Sequence, residues 1–138
     1  MPGIDVVSFH TVLRCRKWAE CLAFYRDVLG LSIVDRKERF VEFQVTSSSR
    51  IGLIDTGGLS EEGDSARERI ILSFCVEDLE AVHGELSSHW PGTSGIRTHP
   101  WGDRLFEMED PEGRRIEFWV REMRERRTDR GEREERQG

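Results

Sequence analysis

The stretch that decides the fold is Trp101-Gly102-Asp103-Arg104-Leu105-Phe106, then Asp110-Pro111-Glu112-Gly113, then Arg114-Arg115-Ile116-Glu117-Phe118-Trp119. It reads as strand, tight turn, strand. Pro presets φ at the second turn position, Gly relieves the fourth, and apolar and polar residues alternate on both sides. The alternation leaves one carboxylate, Glu117, on the face opposite Ile116, Phe118 and Val120. A carboxylate held mid-strand among Ile, Phe and Trp is costly unless paired, ligated or wet. The same motif therefore carries a fold and a candidate site.

Working outward, the pattern of the second half repeats one already seen in the first. Ile4 to Cys15 alternates as a half-buried strand, with Phe9, Thr11, Leu13 and Cys15 on one face and Ser8, His10, Val12 and Arg14 on the other. The period then becomes helical, with Trp18, Leu22, Tyr25 and Leu29 in one stripe and Gly30 as the stop. Strands are expected near Leu31–Asp35, Phe40–Thr46 and Arg50–Asp55. In the second half Ile70–Val76 is an apolar run, and Asp78 caps a helix carrying Leu79, Val82 and Leu86 that ends at Trp90-Pro91-Gly92. Strands near Gly95–His99, Arg104–Glu109 and Arg115–Val120 follow. Each half is thus βαβββ, about residues 4–55 and 68–120, joined by a linker over 56–67 rich in Gly, Ser and acids. Arg50-Ile51-Gly52-Leu53 against Arg115-Ile116-Glu117-Phe118 is the clearest echo between halves.

Length and charge bound the function. A chain of 138 residues suits one domain, here 1–120, burying roughly 68% of its unfolded surface. From Arg121 to Gly138 the sequence holds seven Arg and six acids, so this tail carries +1 and the residues before it −7 of the total −6. Mixed charge without an apolar stripe makes 121–138 an expected flexible tail. An acidic body argues against a nucleic-acid partner. Cys15, Cys21 and Cys75 are odd in number and lack CxxC spacing, so buried reduced thiols are expected rather than disulfides or a zinc knuckle. No apolar run approaches the roughly 20 residues that span a bilayer, and the first residues carry no secretion pattern. A soluble, cytoplasmic protein without membrane contact is expected.

The run His10 through Arg14, followed by Phe24-Tyr25-Arg26-Asp27-Val28-Leu29-Gly30-Leu31, resembles the first module of the vicinal oxygen chelate superfamily, the glyoxalase, bleomycin-resistance and extradiol-dioxygenase group. Trp101-Gly102, Asp110-Pro111-Glu112-Gly113 and Glu117 resemble its second module. The resemblance covers about residues 4–120. It implies an α+β fold in which two βαβββ modules form a curved, cleft-bearing mixed sheet with the helices on its convex side. It also implies metal ligands at four equivalent strand positions in the metal-dependent members. Here His10 holds the first and Glu117 the last, while the other two fall at Gly52 and Ile71, which cannot ligate through a side chain. Two donors leave a divalent Zn, Ni, Mn or Fe incompletely held, since a catalytic ion wants about three protein ligands and an open position. No cofactor is therefore expected, although His99 stands near enough in sequence to contribute.

Strand parity assembles the face opposite the helices. His10, Arg14, Ile54, Ile71, Ser73 and Trp119 belong to it, with Trp101 and Arg104 added as residues that line a ligand. Such walls are mostly apolar with a few polar groups, the usual make-up of a small-ligand pocket. Trp101 is suited either to packing or to gripping a planar ligand, and Arg14 either to neutralising Glu117 or to meeting an anion. Without metal, His10 and Glu117 are free to pair. His83 is expected to be an exposed residue of the second helix and His89 to follow that helix, neither with a site role. Two functions compete: a metal-independent binder of a small organic molecule, and a metal-dependent lyase, isomerase or dioxygenase with Glu117 as general base. Exposed sheet edges point to a C2 homodimer.

Overall fold

A computed structural model describes residues 3–5, 7–57 and 70–121. The chain divides into two compact units, Met1–Asp64 and Ser65–Gly138. The expected linker and the charged tail fall almost wholly outside the described residues.

Unit 1 is built from β1 (Thr11–Cys15), α1 (Trp18–Ala23) with a π-helical continuation (Phe24–Val28), β2 (Ser32–Lys37), β3 (Phe40–Thr46) and β4 (Ser49–Asp55). Its sheet runs in the order β1-β4-β3-β2. β1 lies parallel to β4, with Val12 beside Gly52, and the remaining pairs are antiparallel. Leu13, Cys15, Val41, Phe43, Ile51 and Leu53 are buried on one side of the sheet. The expected single α-helix over Trp18–Leu29 changes period at Phe24. There Leu29 N–H bonds to the Phe24 carbonyl at 3.0 Å, a π-type link. The wider turn brings two consecutive aromatics inward. Phe24 and Tyr25 are both buried, edge to face at 5.0 Å, and Tyr25 meets Phe43 of β3 at 6.2 Å. β1 begins later than expected, so Phe9, outside the ladder, is 81% exposed rather than in the core.

Unit 2 repeats the plan with β5 (Ile71–Cys75), α2 (Leu79–Ser87), β6 (Arg97–Thr98), β7 (Arg104–Glu109) and β8 (Arg115–Val120), ordered β5-β8-β7-β6. The α+β class and both βαβββ modules are as the sequence predicts, and the eight strands form two four-stranded sheets. Asp78 caps α2, its carboxylate accepting from Ala81 N–H at 3.1 Å. Leu79, Leu86, Phe106, Met108, Ile116 and Phe118 are buried, and Phe106 stacks on Phe118 at 5.1 Å. His83 corrects its expectation of exposure. It is half-buried, edge-on to Phe106 at 4.8 Å, with Nε2 within 2.8 Å of the Ser94 carbonyl. Cys15 and Cys21 are buried and outside any disulfide, whereas Cys75 is exposed.

The turn that announced the fold has a buried ion pair inside it. Asp110 Oδ1 accepts from the backbone N–H groups of Glu112 and Arg114, both at 2.9 Å, while Oδ2 takes the Arg114 guanidinium at 2.8 Å. Asp110 and Arg114 are 4% and 5% exposed. Gly113 holds φ at +87°, a conformation that a side chain would strain. Asp110 thus closes the turn through its side chain, beyond the Pro and Gly preferences visible in the sequence. Asp110→Ala is expected to cost about 3–5 kcal/mol, because it removes the carboxylate from a buried ion pair and the acceptor of two backbone N–H groups. Asp110→Asn, which keeps the acceptor oxygen, is expected to cost less. Urea denaturation midpoints of the two variants check the order.

Candidate functional site

In unit 1, alternation along β3 sends Val41 and Phe43 to the core and Glu42 to the opposite face. Glu42 is nevertheless only 5% exposed. Two groups hold it there. His10 Nδ1 lies 2.5 Å from Oε2, and the Arg50 guanidinium donates to Oε1 at 3.3 Å. The other ring nitrogen, His10 Nε2, lies 3.0 Å from Ser8 Oγ. A carboxylate with little water around it requires such partners, and each oxygen has one.

The same face explains Gly52. It stands opposite Glu42 across the β3–β4 ladder and opposite Val12 across β1–β4. A Cβ at this position would meet Phe40 Cε1 at 2.8 Å and Cζ at 2.9 Å. The Phe40 ring thus takes the space into which a side chain at 52 would grow.

Unit 2 carries a related arrangement with different occupants. Glu107 of β7 stands opposite Glu117 of β8 as Glu42 stands opposite Gly52. Arg115 reaches Glu107 at 3.9 Å, as Arg50 reaches Glu42, and Arg97 adds a contact at 3.0 Å. The half-buried Glu117 accepts a hydrogen bond from Ser73 Oγ at 2.7 Å, across the parallel β5–β8 pair. Two carboxylates directly opposite would repel, and the arginines on Glu107 offset that.

The glyoxalase/bleomycin resistance protein/dioxygenase superfamily profile matches residues 8–118. The chain belongs to this superfamily. Solved structures share the fold at low identity. A lactoylglutathione lyase from Agrobacterium tumefaciens is 18% identical with a TM-score of 0.65, over 86% of this chain and 96% of its own. A glyoxalase/bleomycin resistance protein/dioxygenase from Nocardioides is 17% identical with a TM-score of 0.72, over 89% and 87% respectively. A protein of unknown function from Agrobacterium tumefaciens str. C58 is 24% identical, with a TM-score of 0.66 over 88% and 97%. At such identities the likeness is one of fold. No curated protein matches the sequence.

Of the residues that the sequence marked within this superfamily fold, the structure joins Ser73 to Glu117 and joins His10 to Ser8 and Glu42. Arg14 and Ile54 are neighbours across β1–β4, and Ile54 is 39% exposed. Ile71 is 47% exposed on β5, and Trp119 is half-buried opposite Cys75. Trp101 stacks on His99 with ring centres 4.1 Å apart and is 68% exposed. Arg104 shares its face of β7 with Phe106, which touches α2, and its guanidinium bonds the Glu80 carboxylate of that helix. This bond holds the Glu80 carboxyl below the usual carboxylate range. Its small, solvent-screened contribution is present at neutral pH and fades as the pH falls through that range.

Glu42 and Arg50 escaped the sequence reading. The signal was the single acid inside Phe40-Val41-Glu42-Phe43, on the parity that β4 shares with Gly52. Of the four ligand positions that the superfamily resemblance implies, Gly52 and Ile71 offer no side-chain donor. Among the described residues no three His, Cys, Asp or Glu side chains gather. His10 and Glu42 are engaged with each other, and Phe40 covers the Gly52 position. Gly52→Ala is expected to lower stability by about 1–3 kcal/mol through the contact with Phe40. In a Phe40→Leu background the same change is expected to cost clearly less, and a double-mutant cycle by chemical denaturation reads that coupling.

Proposed function

We propose that this chain binds a small, flat, moderately polar organic molecule through the open faces of its sheets, without a complete metal site. The observation that carries the reading is the composition of those faces. Val12, Ile54 and Ile71 are 50%, 39% and 47% exposed, and Trp101 is 68% exposed. Large apolar groups left in water beside a few fixed polar groups are the usual lining of ligand sites. His10, Arg14, Ser73, Glu117 and Trp119 supply polar and aromatic contacts in this proposal, and Trp101 supplies a stacking surface. The superfamily's solved structures include a lactoylglutathione lyase and proteins named for bleomycin resistance, so both enzymes and binders are reached from this fold.

The competing reading is a divalent-metal-dependent lyase, isomerase or dioxygenase with Glu117 as ligand or general base. The donor chemistry favours the binder, since a third side-chain ligand is wanting among the described residues. A C2 homodimer working in the cytoplasm belongs to the same proposal. It is supported by the exposed apolar groups and by three cysteines outside any disulfide. Among the described residues no helix is long and apolar enough to cross a membrane.

Tryptophan fluorescence tests the binder directly. Titration with a panel of planar aromatics, sugars and glutathione conjugates is expected to rank the planar aromatics first. Trp101→Ala is expected to weaken them by about 2- to 12-fold, the equivalent of an aromatic stacking contact. Unchanged affinity in that variant, or binding of glutathione conjugates alone, removes the reading. Protein purified without chelating resin is expected to carry well under one equivalent of Zn, Ni, Mn or Fe by elemental analysis. A full equivalent would place the metal enzyme first.

A further inference from the structure

Ser8, His10 and Glu42 form one chain of hydrogen bonds within unit 1, with Ser8 Oγ to His10 Nε2 at 3.0 Å and His10 Nδ1 to Glu42 Oε2 at 2.5 Å. The order is hydroxyl, imidazole, buried carboxylate. With Nδ1–H given to the carboxylate, a neutral imidazole presents its lone pair at Nε2, toward the hydroxyl. Arg50 on the other carboxylate oxygen fixes Glu42 in place. These are the contacts that activate a hydroxyl nucleophile: a base on the attacking oxygen and an acid that orients the base.

The related position of unit 2 lacks this chain of bonds. Glu107 occupies the related position in unit 2 and is satisfied by Arg97 and Arg115, without an imidazole. Glu107, whose side chain is 23% exposed against 6% for Glu42, is held by arginines. His10 partners the buried Glu42 carboxylate and at the same time faces a hydroxyl. Its outer edge, together with Ser8, remains accessible, since the His10 side chain is 37% exposed and Ser8 is exposed.

We propose that Ser8 is a nucleophile activated by His10, with Glu42 as the positioning residue, and that it transfers acyl groups from activated esters to water. Ser8 Oγ adds to the ester carbonyl carbon as its proton passes to His10 Nε2. The tetrahedral intermediate collapses with cleavage of the bond to the leaving oxygen, which takes the proton from His10. Water then attacks the acyl-Ser8 carbonyl, His10 accepting its proton and returning it to Ser8 Oγ as the carboxylic acid leaves. Activation of the nucleophile is what this chain of bonds supplies, so the substrate class is esters with good leaving groups, aryl esters above all. The proposal does not rest on the binding reading above, because it requires only three residues of unit 1.

Two probes test it on the full chain. With p-nitrophenyl acetate, release of nitrophenolate is expected to be unaffected by EDTA and lost in Ser8→Ala. It is expected to fall about 100-fold or more in His10→Ala, the range of general-base contributions. Glu42→Gln is expected to lower kcat about tenfold or more at unchanged KM, a split that loss of packing would not give. With diisopropyl fluorophosphate, formation of an Oγ–P bond with loss of fluoride is expected at Ser8, read by peptide mass spectrometry, and is expected to vanish in His10→Ala. Ser8 and His10 are exposed, so their variants keep the test decisive even where Glu42→Gln unfolds, which thermal melts report. Absence of a Ser8 adduct, labelling unchanged in His10→Ala, or ester turnover surviving Ser8→Ala would each overturn the proposal. Loss of turnover on chelation would do the same, while leaving the binding reading to its own fluorescence test.

Discussion

Each unit depends on one constraint, the parallel pairing of its first strand with its last. β1 runs beside β4 and β5 beside β8. Parallel neighbours cannot be joined by a hairpin and need a crossover, and here a helix lies within each crossover. The helix must bury its apolar stripe against the sheet, so one face becomes core. In unit 1 the Phe24–Tyr25 pair reaches Phe43, and in unit 2 His83 reaches Phe106. The other face is left for polar chemistry. This is why Glu42, Gly52, Glu107 and Glu117 share a parity, and why Val12, Ile54, Ile71, Ser73 and Trp119 lie on that side, with Ser8 and His10 just before β1.

On the open faces, the likeness and the difference of the two units can be read from register. A Glu on the third strand and an Arg on the fourth recur as Glu42 with Arg50 and Glu107 with Arg115. What differs is the residue opposite each Glu: Gly52 in one unit, Glu117 in the other. The Gly lets Phe40 lie close over β4. The Glu recruits Ser73 instead. In unit 1 apolar packing stands where unit 2 has a donor, and His10 pairs with Glu42 of β3.

Much of the architecture was legible before any coordinates. β3, β7 and β8 begin and end where alternation and turn chemistry place them, the Asp78 cap forms, and Asp110 to Gly113 makes the turn. Signals of that kind are carried by residues a few positions apart, so the local chain suffices to express them. The π turn was not legible in the same way. Its apolar stripe reads as an ordinary helix, and the period changes because two adjacent aromatics find room in the core of unit 1.

Sequence by itself determined the α+β class, the two βαβββ modules, which residues share each strand face, and membership of a superfamily that the profile match then established. Tertiary structure alone decided who bonds to whom. His10 meets Glu42 across 32 positions of chain, Ser73 meets Glu117 across 44, and His83 turns inward to the Ser94 carbonyl. Parity says which face a residue occupies, but partners across a face depend on strand order and register. Those are set by the burial of the opposite, apolar face. The polar constellation is thus a consequence of packing it does not take part in.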